Sequence, residues 1–126
     1  MDKKRPVNLD LGTIALPITS YVSILHRVSG VIMFLAVAVL LWLLESSLAS
    51  EASFNELSNL FANPLCQIIV WGTLAALGYH SVAGIRHMIM DFGIGEDSFQ
   101  AGRVSAWVAM VLAVVVIALI TIWVFL

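Results

Sequence analysis

Three apolar stretches, Val22 to Leu44, Leu65 to Met90 and Val104 to Leu126, are each long enough to cross a bilayer, and nothing else constrains the chain as strongly. Crossing the hydrocarbon core takes about 20 mostly apolar residues at about 1.5 Å each. Hydrocarbon offers no partner to a backbone N–H or C=O, so such segments must be helices, and no alternation of polar and apolar residues suggests barrel strands. Composition agrees: of 126 residues 61% are hydrophobic and 11% charged, against roughly half and a quarter in water-soluble domains. The expected fold class is an all-α membrane protein with three transmembrane helices, one transmembrane domain over residues 1–126.

The single cysteine, Cys66, leaves no internal disulfide framework and no CxxC metal or redox pair. A formal net charge of −2 argues against nucleic acid as a partner. The chain carries no Gly-rich phosphate loop and no Ser/His/Asp spacing, so any chemistry must sit among the helices.

The basic residues Lys3, Lys4, Arg5, Arg27, Arg86 and Arg103 all fall at one end of the three spans, whereas the connection from Glu45 to Asn63 holds Glu45, Glu51 and Glu56 and no Lys or Arg. The positive-inside rule therefore places the N-terminal segment, residues 1–20, and the second loop in the cytoplasm. Trp42, Trp71, Trp107 and Trp123 lie near span ends, as interfacial aromatics do. Ser47-Leu48-Ala49 loosely imitates a signal-peptidase site, but its leader would be far longer than the usual 15–30 or so residues. In the outer loop, Ser53-Phe54-Asn55-Glu56 reads as a capping box, with Phe54, Leu57, Leu60 and Phe61 on one face of a short interfacial helix. Asn63-Pro64 reads as the start of the second span. The segment from Arg5 to Leu11 is too polar to insert and too apolar to float freely, which suits contact with a cytoplasmic partner.

Ionisable groups inside spans are costly and need a partner, an aqueous path or a cofactor. In the first span Ser23, His26 and Arg27 share one face near the cytoplasmic boundary, and Gly30 continues it one turn deeper. Arg27 alone reads equally well as a snorkelling anchor. Beside His26 and Ser23 it also suits a quinone carbonyl or a cofactor carboxylate. In the second span, counting back from Met90 places His80 about 15 Å deep, with His26 well above it toward the cytoplasm. Thr73, Ala76, Gly84 and His87 stand above and below His80 on its face, a groove shallow enough to admit a flat macrocycle. Two readings stand side by side there. Either the small residues let another helix approach and His80 bonds to it, or His80 ligates haem iron. In the haem reading His87 lies about 10.5 Å away along the same helix, so a second histidine ligand would come from another polypeptide. His26, Arg27 and His87 would then meet propionates. Arg86, about 120° around the helix from that face, suits lipid phosphate or a partner, or simply anchors topology.

Arg5-Pro6-Val7 followed by Ser23-Ile24-Leu25-His26-Arg27-Val28-Ser29, and then the run His80-Ser81-Val82-Ala83-Gly84-Ile85-Arg86-His87-Met88-Ile89-Met90-Asp91-Phe92-Gly93, resemble the signatures of the cytochrome b556 membrane-anchor family of succinate dehydrogenase, respiratory complex II, in its bacterial form. The resemblance covers the whole three-span layout. It implies an electron-transport subunit of the bacterial cytoplasmic (inner) membrane, set in a larger helix bundle with a second small anchor subunit. Haem b would be held between the two, with His80 as this chain's axial ligand. Ubiquinone would bind at the cytoplasmic edge, with Ser23 and Arg27 contributing. FAD and the iron–sulfur clusters would belong to a flavoprotein and an iron–sulfur subunit, where succinate is oxidised. The anchor of a fumarate reductase and a purely structural membrane anchor remain the alternatives.

Overall fold

The first two apolar runs lie inside longer helices, and the third runs out to the end of its helix. The structure, a computed structural model, describes residues 16–94 and 98–126. Its elements are α1 (Ile18–Ala49), α2 (Glu51–Leu60), α3 (Pro64–Asp91) and α4 (Phe99–Phe125). Three of them, α1, α3 and α4, are long and apolar enough to cross a membrane. The Arg5-Pro6-Val7 motif and the segment from Arg5 to Leu11 expected to meet a cytoplasmic partner lie outside the described residues.

Local chemistry sets the ends. Asn63 caps α3 by accepting from the Leu65 N–H at 2.9 Å, and Pro64 takes the first helical position, where its missing N–H costs nothing. Beyond Asp91 the backbone turns through Gly93, whose φ of 79° favours glycine; its N–H donates to Met90 O at 2.8 Å and closes the helix. Ser98 caps α4 through the Ala101 N–H at 3.1 Å, so this helix begins a turn earlier than the apolar run. The outer helix departs from expectation. Ser50, not Ser53, is the cap of α2, and it accepts from the Ser53 N–H at 3.0 Å with Glu51 in the favourable first turn. Ser53 instead donates to Ser46 O at 2.7 Å and folds α2 back onto the end of α1. Of the expected apolar face only Leu57 is buried; Phe54, Leu60 and Phe61 stay exposed.

The spans pack through small residues. Gly102, Ala106, Ala109 and Ala113 are the buried residues of α4, and Thr73, Ala76, Tyr79 and Ala83 those of α3. At Gly78 a Cβ would lie 2.9 Å from Val116 Cγ1 and 3.2 Å from Ile120 Cδ1, so the close approach of α3 and α4 requires glycine there. Two hydroxyl side chains of α4, Ser105 and Thr121, serve this contact. Trp71 Nε1 donates to Thr121 Oγ1 at 2.8 Å, while Arg86 donates from Nε to Ser105 Oγ and from Nη2 to Gly102 O, each at 3.2 Å. Arg86 therefore turns toward α4, where the sequence reading sent it to lipid phosphate or a partner. The outer faces are apolar: Phe34, Leu35, Leu119 and Trp123 are among the many large exposed side chains, as lipid contact or a further membrane subunit demands.

Gly78→Leu should lower the stability of the protein in a denaturing-detergent titration by about 1–3 kcal/mol through overpacking. Trp71→Phe should cost only about 0.6 kcal/mol, the average for a hydrogen bond between membrane helices. Equal midpoints for Gly78→Leu and the unaltered chain would refute the close α3–α4 approach.

Candidate functional site

The polar residues of the first two spans meet along one seam between α1 and α3. Tyr79 begins it: its hydroxyl is buried and donates to Val22 O at 2.9 Å. One residue on, His80 presents its imidazole edge to the next turn of α1. Nδ1 lies 3.0 Å from Ser29 Oγ and 3.3 Å from His26 O. Gly30 lets the ring sit against the α1 backbone, since a Cβ there would stand 3.3 Å from His80 Cε1. The sequence pattern placed the small residues on α3 around His80, and Thr73 and Ala76 are indeed buried, but by packing within the chain. The side of His80 facing Gly30 is therefore closed by α1. Another helix does approach and bond to His80, and it belongs to the same chain.

The second departure concerns depth. His26, expected well above His80, stacks on it, with ring centroids 4.2 Å apart and planes inclined by 13°. Its other neighbour is His87, at 6.4 Å and 23°. Counting residues from the ends of separate spans assumes that the spans start level. Here α1 begins four residues before Val22, and the Tyr79–Val22 bond fixes the register so that His26 falls between His80 and His87. Gly84 makes room for it, with a Cβ there lying 3.5 Å from His26 Nε2.

Beside this stack opens a cavity of about 400 Å³ lined by Ser23, His26, Arg27, Arg86 and His87 among others. The structure thus gathers Ser23, His26, Arg27 and His87 around one cleft and stacks His80 on the cleft-lining His26. Ser23 and Arg27 are exposed, and His87 forms a 3.9 Å pair with Asp91 in which both side chains are mostly exposed. Arg86 joins them as a wall of the cleft while bonded to α4. Ser29 is the residue that sequence reasoning gave no role. It lay within the quoted motif, three residues beyond His26 and so on the same helical face.

Two features bear on chemistry. His26 Nε2 is the buried side-chain polar atom that has no hydrogen-bond partner among the described residues, a deficit of about 1–3 kcal/mol that an acceptor in the cleft would offset. Among the described residues no three His, Cys, Asp or Glu side chains converge as a bare metal site.

The relatives agree with this architecture. Residues 1–122 match the family model described as succinate dehydrogenase/fumarate reductase transmembrane subunit. A succinate dehydrogenase cytochrome b556 subunit of Coxiella burnetii is 40% identical over 125 residues, covering 98% of this chain and 99% of that one. Proteins of the same name from Rickettsia felis, 34% identical over 93% of this chain and 90% of its own, and from Paracoccus denitrificans, 31% identical over 96% and 92%, are also similar. With its three candidate spans and its match over nearly the whole length, the chain belongs to the family of succinate dehydrogenase/fumarate reductase transmembrane subunits, alongside the bacterial cytochrome b556 subunits of succinate dehydrogenase.

Proposed function

We propose that this membrane subunit of succinate dehydrogenase holds one side of a haem b through His80 and builds part of the quinone-reduction site with Ser23 and Arg27. The observation that carries the reading is the state of the His80 ring. Both partners at Nδ1 are acceptors toward it, because Ser29 spends its hydroxyl proton on His26 O at 2.7 Å and a carbonyl has none to give. With the hydroxyl so directed, the two oxygens favour the tautomer that carries its hydrogen on Nδ1. Nε2 then keeps its lone pair, and no hydrogen bond among the described residues engages it, which is the arrangement of a metal-ligating histidine.

The rest of the cleft fits the same group. The orphaned His26 Nε2 is a donor or acceptor in search of a partner, and His87 and Arg27 line the same cavity. Carboxylates of the haem would meet these groups at the basic end of the chain. When bound, the haem supplies one-electron redox capacity in the apolar interior, tuned by the basicity of its ligand. A second small anchor subunit would supply any further protein ligand, while His26 and His87 line the cleft. FAD and the iron–sulfur clusters reside on the flavoprotein and iron–sulfur subunits, in keeping with Cys66 being the single cysteine.

Quinone binds where Ser23 and Arg27 reach the exposed mouth of the cleft. The Ser23 hydroxyl donates to one carbonyl oxygen and orients the ring. The Arg27 guanidinium stabilises negative charge as it grows on the oxygen, and the iron–sulfur subunit closes the site above them. Protons enter from the cytoplasmic side, where the exposed His87–Asp91 pair stands. Succinate itself is oxidised elsewhere in the complex. The names of the relatives favour this direction over fumarate reduction.

In the purified complex, His80→Ala should abolish the haem band in a reduced-minus-oxidised spectrum; an unchanged spectrum would remove His80 as ligand. Arg27→Ala should cut quinone reduction by about tenfold or more, the loss of one charge-assisted hydrogen bond, and spare succinate oxidation by an artificial acceptor. Equal loss of both activities would assign Arg27 to assembly instead.

A further inference from the structure

We infer that Ser29 is a positioning residue for His80, holding the imidazole in one tautomer and one orientation and thereby setting how strongly Nε2 donates to the haem iron. The inference rests on His80 being this chain's haem ligand and adds to that reading a residue outside the ligand and propionate sets.

Ser29 is 5% exposed. A buried serine in a membrane helix ordinarily satisfies itself by bonding back to its own helix, as Ser29 does with His26 O at 2.7 Å. That bond accounts for the hydroxyl proton but not for the approach of His80 Nδ1 to the same oxygen at 3.0 Å. With its proton already directed at the carbonyl, Oγ offers Nδ1 a lone pair. His26 O, at 3.3 Å, offers a second. A ring protonated at Nε2 would bring its own lone pair against both, so the pair of acceptors selects the Nδ1–H form.

Orientation is fixed by the same contacts. A half-turn of the ring would replace Nδ1 by a carbon and break both hydrogen bonds. Gly30 underlies the ring, with space for a Cβ only at 3.3 Å from Cε1 and 3.7 Å from Nδ1, and the His26 ring covers one face at 4.2 Å. Among these contacts Ser29 contributes the shortest bond to Nδ1, and it also ties the competing acceptor, His26 O, to itself. Drawing the Nδ1 proton toward oxygen raises electron density at Nε2 and stabilises the oxidised metal.

The test is a potentiometric titration of the haem in the purified complex, followed optically, with the electron paramagnetic resonance spectrum of the oxidised haem beside it. Ser29→Ala should move the midpoint potential to a more positive value and shift the resonance positions. Ser29→Thr should restore both, because a threonine hydroxyl in a helix makes the same bond back to the preceding turn. Ser29→Cys keeps the volume and weakens the acceptor, and should shift the potential in the same direction by less; it remains informative if the alanine variant does not assemble. A wild-type potential in Ser29→Ala or Ser29→Cys overturns the inference. A wild-type complex without haem, or His80→Ala with its haem spectrum intact, overturns the ligand assignment on which it stands.

Discussion

The polar seam between α1 and α3 is what the rest of the structure depends on, because in hydrocarbon a polar side chain without a protein partner has nowhere else to turn. Tyr79, Ser29 and His80 meet that constraint together, through the carbonyls of Val22 and His26 and through each other. Individually such bonds are worth about 0.6 kcal/mol between membrane helices, too little to hold two spans together. Their value is in register. Sliding α1 by one turn would carry Ser29 and Gly30 away from the His80 ring. The seam thus determines which residues of α1 lie level with which of α3, and with that the composition of the cleft.

The other face of α3 is held differently. Its contact with α4 relies on close approach at Gly78 and on the row of small residues from Gly102 to Ala113, so dispersion rather than polar bonding draws the helices together. Trp71 and Arg86 add a polar tie near each end of this contact. The division has a consequence for the cleft. Arg86 is anchored by α4 through Ser105 and Gly102, yet it forms part of the wall that Ser23, Arg27 and His87 share. The third span, which carries no residue of the expected site, therefore supports the site through one side chain of the second.

Much of this was legible in the sequence, and the remainder was not for one physical reason. The three spans follow from the length and apolarity of their runs, Asn63-Pro64 marks a helix start, and helical periodicity alone places Ser23, His26 and Arg27 on a common face. Those are properties of single helices. The level of His26 against His80, the destination of Arg86 and the closing of His80's Gly30 side by α1 are relations between helices. Periodicity says which way a side chain faces but not what stands opposite. The cap of α2 was missed at shorter range, because Ser50 and Ser53 both offer a suitable oxygen and the choice falls to Ser50 once Ser53 is drawn to Ser46.

His80 shows how one side chain satisfies two demands that seem opposed. Read from spacing, the deep histidine belonged either to a helix contact or to a cofactor. An imidazole has two nitrogen edges, and the geometry here uses them separately: the Nδ1 edge completes the seam with α1, while Nε2 takes no part in it. On the proposed reading the packing contact does more than coexist with ligation. It would favour the tautomer whose Nε2 lone pair is free to ligate and hold the ring in one orientation. A helix contact that would have argued against a cofactor had it consumed both edges becomes, when it consumes only one, the device that prepares the other.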